Sequence, residues 1–174
     1  CQIVASTSFF IPKPFTPFQW ATMLNREDYI GKANIVNHEM KAQLNHKSLK
    51  YNWHEADVTV LEGVFARGDR RLGAVIEKAF LSGCRFDSWT ECFNLEKWLD
   101  AFESCGISPE FYANRKREYS EINPWDHLDY AVTKSFLIKE SKLAHSEQTT
   151  PNCREKCAGC GANCYGEGVC FENR

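Results

Sequence analysis

The chain has 174 residues, of which 43% are hydrophobic and 25% charged, so it can build a core and is not a disordered tract. The formal net charge of −2 gives no sequence-wide drive toward nucleic acid or an anionic membrane. Apolar runs are only a few residues long, which excludes a membrane-spanning helix.

Residues 1–10 (CQIVASTSFF) place apolar side chains on both parities, which predicts a strand buried on both faces. Three prolines follow at Pro12, Pro14 and Pro17. Each fixes φ and removes a donor, so the segment reads as a rigid, extended exit from the strand and not as helix. Ile30, Ala33, Ile35, Met40 and Leu44 recur near a 3.6 period and predict a helix from about Met23 to Lys47. A short second strand is expected at 50–55. Asp57 or Thr59 then opens a helix that Gly68 stops, and Asp69 caps a further helix over 70–81 that ends at Gly83. Helices are also predicted over 95–104, 109–116 and 134–145, with a turn at Asn123-Pro124-Trp125-Asp126. The polar stretch 146–152 reads as a linker.

The last 22 residues hold five of the nine cysteines, at Cys153, Cys157, Cys160, Cys164 and Cys170. Four thiolates this close in sequence suit one zinc ion or one iron–sulfur cluster, and the surrounding glycines let the backbone turn them toward a common centre. An odd total, with the other four cysteines scattered singly, does not resemble a disulfide framework. The N-terminus also lacks the pattern of a signal peptide. A cytoplasmic, reducing setting is expected, with Cys153, Cys157, Cys160 and Cys164 as the ligand set, or Cys170 in place of Cys164.

Three further groups carry candidate chemistry. Arg67-Gly68-Asp69-Arg70-Arg71 puts guanidinium groups beside a helix start, which suits an anion or a set of local ion pairs. His54 and His127 are candidate acid–base groups by residue type, and His127 has Asp126 and Asp129 for neighbours. The five tryptophans serve core and docking surface.

The string Phe10-Ile11-Pro12-Lys13-Pro14-Phe15-Thr16-Pro17-Phe18-Gln19-Trp20 resembles the last barrel strand and exit loop of radical SAM enzymes of the B12-binding-domain and methylthiotransferase-like type. Arg67-Gly68-Asp69-Arg70-Arg71-Leu72, Pro124-Trp125-Asp126-His127-Leu128-Asp129 and the cysteine tail extend that resemblance over nearly the whole chain. The resemblance implies an α/β fragment that is mainly helical. Residues 1–22 would be the last strand of a partial (β/α) barrel with its exit loop. Residues 23–145 would be a helical extension, and 146–174 a linker with a cysteine-rich metal-binding tail. It implies S-adenosylmethionine and cobalamin as cofactors of the full protein, Lys13 and Thr16 as cofactor contacts, and the N-terminal barrel as partner.

The family's cluster loop lies early in the barrel. Cys153, Cys157 and Cys160 repeat its three-then-two spacing, but only 14 residues follow them, too few to build a barrel. The tail is therefore expected to hold an auxiliary cluster or zinc, and the chain alone to lack radical chemistry. The other class in view is a non-catalytic zinc-binding interaction module. Balanced charges and few aromatics in the tail argue against nucleic acid as its partner.

Overall fold

The computed structural model describes residues 1–166; Cys170 lies outside them. The fold is mainly helical α/β with a small parallel sheet. Strand β1 (Ile3–Thr7) pairs in parallel with β2 (Leu49–Trp53), in a register that sets Ile3 opposite Leu49 and Thr7 opposite Trp53. Parallel neighbours need a crossover, and helix α1 (Arg26–Lys41) supplies it. Helices α2 (Ala56–Arg67), α3 (Leu72–Leu81), α4 (Leu95–Ser104), α5 (Pro109–Ala113) and α6 (Lys134–His145) follow. No helix of the described residues is long and apolar enough to cross a membrane.

The chain packs as two units. One comprises Cys1–Ile11 and Thr22–Lys116, the other Pro12–Ala21 and the described chain from Arg117. In the first unit Met23, Val64, Val75, Ala79, Phe102 and Tyr112 form the centre of the core, each at most 2% exposed. α2 packs on α5 and on α1, and α3 packs on α4. A Cβ on Gly68 would fall 2.0 Å from Leu72 Cδ1 and 2.9 Å from the Val64 carbonyl, so the turn from α2 to α3 closes only around glycine.

Local signals place most helix ends. Asn25, Asn94, Ser108 and Thr133 each accept an N–H of the first turn, and Gly83 and Gly106 follow α3 and α4 with positive φ. Four expectations change. Thr59 does not open α2; its hydroxyl donates back to the Glu55 carbonyl at 2.7 Å, inside the first turn. Asp69 does not cap α3, because its carboxylate takes the Arg71 N–H at 2.9 Å and turns the chain two residues early. α5 stops at Ala113, and the carbonyls that would continue the helix serve Arg67 instead. β1 is not buried: Ile3 is 57% and Val4 52% exposed.

Arg67 is fully buried in this unit, where its guanidinium donates to the Ala113 carbonyl at 2.9 Å and the Arg115 carbonyl at 3.4 Å. A guanidinium is the one side chain that can bridge two such carbonyls while staying charged. Arg67→Met keeps volume but strands both acceptors. It is expected to lower stability by about 2–3 kcal/mol, read as a lower urea midpoint at unchanged m-value.

Candidate functional site

The second unit is built on a polar core. Gln19 is 2% exposed, and its side-chain oxygen accepts the Trp125 indole N–H at 2.7 Å and the Phe15 backbone N–H at 3.1 Å. These bonds bend the proline segment into successive turns, with Gln19 N–H on the Thr16 carbonyl and Ala21 N–H on the Phe18 carbonyl. The segment is therefore folded where the prolines alone predict an extended exit, and no part of it is helical. Phe15 is forced to φ +61, an uncommon conformation for a bulky residue. Arg117 lies over the Trp125 ring, and Trp20 meets the Tyr119 ring edge-on.

A cavity of about 240 Å³ opens beside this core. It is lined by Phe15, Gln19 and Trp125, by residues 126–130, and by Val132, Thr133, Lys134 and Leu137. The Phe15 and Tyr130 rings stand 4.1 Å apart. Asp126 accepts the Lys134 ammonium at 2.6 Å and the Asn123 N–H at 3.0 Å, and Lys134 also donates to the Glu121 carbonyl. Burial works against the Asp126 carboxylate, but the Lys134 and Asn123 bonds outweigh it and hold the group below its ordinary range.

Asp129 accepts the Ala131 N–H at 2.8 Å. The Tyr130 hydroxyl is buried without a hydrogen-bond partner, and burial together with the Asp126 charge pushes the phenol up. His127 lines the mouth and is exposed. Phe15, which lines the cavity, and Ala131, between the lining residues Tyr130 and Val132, both have positive φ. An unsatisfied phenol, an acid, an imidazole and strained backbone around one cavity can bind a small polar molecule.

The sequence-derived candidates scatter. Asp126, His127 and Asp129 meet at this cavity. Lys13 and Thr16 share a turn, where the Thr16 hydroxyl donates to the Lys13 carbonyl at 2.8 Å. His54 is exposed just after β2. In the arginine string, Arg67 is buried structure and Arg71 pairs with Asp69 at 2.7 Å, its guanidinium also lying over the Tyr112 ring. Sequence reading missed Gln19, Phe15, Tyr130 and Lys134. Lys134 carried a signal, because a cation in the first turn of a helix opposes the macrodipole unless an acid is paired with it.

In the tail, Cys153, Cys157 and Cys164 are exposed thiols and Cys160 is half-buried. Cys160 Sγ accepts the Ala162 N–H at 3.4 Å, an outer-shell contact of the kind that supports a metal-bound thiolate. Among the described residues no three His, Cys, Asp or Glu side chains converge on one point, so uptake of a metal would have to gather the sulfurs. The donor chemistry fits zinc or an iron–sulfur cluster. The linker before the tail is fastened, with the Thr150 hydroxyl donating to Glu140 at 2.5 Å and the Gln148 N–H to the Leu143 carbonyl at 2.9 Å. Compared with known proteins, the chain matches no family model, no curated protein and no solved structure.

Two outcomes follow from these charges. Lys134→Met is expected to cost about 1 kcal/mol at neutral pH by releasing Asp126 and the Glu121 carbonyl, measured by urea unfolding. Asp69 is held at about 2 by its hydrogen bonds with Arg71, against an ordinary value of 3.8. A depressed carboxylate stabilises fully above its unfolded value and loses that contribution as pH falls through its folded one. Asp69→Asn should therefore destabilise the chain at neutral pH and flatten its acid sensitivity between about pH 4 and 2, seen as converging melting curves of the two proteins.

Proposed function

We propose that the chain is the C-terminal part of a radical SAM iron–sulfur protein, with a helical extension and a tail that holds an auxiliary iron–sulfur cluster or zinc. The observation that carries the reading is the sheet. β1 and β2 are parallel across a helical crossover, yet Ile3 and Val4 stand exposed. Parallel sheets are almost always covered on both faces, and a bare apolar edge invites further strands. Neighbouring strands from an N-terminal barrel would complete this one. A second cavity of about 340 Å³, lined by Thr7, Phe9, Phe10, Tyr29 and Tyr51, lies at the carboxyl end of β1. Ligands of open α/β sheets occupy such positions.

In this reading the S-adenosylmethionine cluster and any bound cobalamin belong to the N-terminal barrel, which is also the partner, and Lys13 and Thr16 contact the cofactor. Cys153, Cys157, Cys160 and Cys164 hold the tail's metal centre in a reducing, cytoplasmic setting. A cluster there would supply one-electron relay or an anchor for substrate. Zinc would supply only a fixed fold. The chain's own residues orient the centre through Cys160, whose sulfur is already hydrogen-bonded.

Anaerobic reconstitution with iron and sulfide tests the reading. The expected product is brown, with broad visible absorption and about four irons per chain, both lost in Cys157→Ala. A colourless protein that retains one tightly bound zinc would favour a non-catalytic zinc-binding interaction module instead.

A further inference from the structure

Residues 131–133 join the cavity to the tail. Val132 and Thr133 line the cavity, while the Thr133 N–H donates to the Cys160 carbonyl at 2.9 Å. Gly161 sits at φ +103, and a Cβ there would meet the Ala131 carbonyl oxygen at 2.4 Å and Thr133 Cγ2 at 3.0 Å. A left-handed residue pressed onto backbone has to be glycine. Ala131, on the other side of this contact, is itself at φ +69. Such a conformation is disfavoured for a residue with a Cβ and persists where surrounding contacts hold it. The strip and the tail are thus shaped to each other at the residue next to a candidate ligand.

We propose that the tail and the cavity form one composite site: a metal held through Cys160 lies against the 131–133 strip, and the cavity is the pocket beside that metal. The inference rests on the reading of the tail as metal-binding, and adds to it where the centre sits and what it faces. The committed groups of the cavity are Asp126, Lys134 and Gln19, which satisfy one another or the backbone. The remaining ones are the Tyr130 hydroxyl, which is enclosed without a partner and would need its ring to shift to reach a ligand, and Asp129, whose Oδ1 takes the Ala131 N–H. They suit a small molecule that offers an acceptor to the phenol and an amino or hydroxyl donor to the carboxylate. Metal in the tail and ligand in the cavity would bias each other reciprocally through the shared strip.

Cobalt(II) is the probe, added to the full chain. Thiolate-to-cobalt charge-transfer absorption reports whether the tail binds metal, and amide NMR signals report where. Paramagnetic cobalt is expected to erase the signals of Tyr130, Ala131 and Thr133, which diamagnetic zinc leaves intact. Gly161→Val is expected to keep the charge-transfer band and the helical circular dichroism but to restore those signals, because the tail no longer seats. Charge-transfer absorption in the unaltered chain with the signals of 130–133 unaffected would overturn the composite site while leaving the tail's metal binding in place. No charge-transfer band in the unaltered chain would overturn the metal reading itself, and the composite site with it.

Discussion

The second unit depends on one buried amide. The side-chain oxygen of Gln19 takes an indole N–H from Trp125 and a backbone N–H from Phe15, 106 residues and four residues away respectively. Two acceptor lone pairs are filled by two donors, so the oxygen carries no residual desolvation cost. That pairing fixes the Trp125 ring, over which Arg117 lies, and it folds the proline segment so that Phe15 faces Tyr130. Phe15, Trp125 and the turn at 126–130 all line the cavity, so this pairing brings its walls together. Loss of the Gln19 oxygen would leave two buried donors unmet, each worth about 1–3 kcal/mol.

What the sequence disclosed follows the range of the forces involved. Helix ends governed by a residue three positions away could be read: Asn94 accepts from Lys97, Thr133 from Phe136, and Gly106 terminates α4. The second strand could be read too, shifted by one residue at its start. The failures are all long-range or polar. Nothing local announces that Arg67 will cross to carbonyls at 113 and 115, or that Gln19 will meet Trp125. The prolines of 12–17 spoke for an extended chain because propensity counts each residue alone, whereas Gln19 captures Phe15 and turns the segment back.

The candidate site divides in the same way. Asp126, His127 and Asp129 were legible as a charged cluster in one turn, and they do share a cavity. Their division of labour was not legible. Asp126 is satisfied by Lys134 and Asn123 and works as a fastener at the start of α6, whereas the unsatisfied group is Tyr130, an aromatic that hydropathy alone assigns to a core. The spacing of the cysteines suggests a ligand set, yet the contact of Cys160 with the 131–133 strip is marked in the sequence only by Gly161, one of ten glycines.

The seating of Cys160 bears on how such a tail could bind metal tightly. A set of four thiols on an unanchored chain must spend backbone entropy, about 1–2 kcal/mol per residue fixed, before the sulfurs meet. Here the residue pair 160–161 is already immobilised by the Thr133 N–H and by close packing on Ala131, and the Cys160 sulfur already has its N–H donor. Part of the ordering is therefore borne by the fold, so under the proposed metal-binding reading the affinity would depend on the integrity of the 131–133 strip. The positive φ of Ala131 opposes this, since it is a cost that the surrounding contacts have to hold. The strained residue and the glycine that packs on it meet at one contact, and that contact, with the Thr133 N–H on the Cys160 carbonyl, fixes the backbone at Cys160.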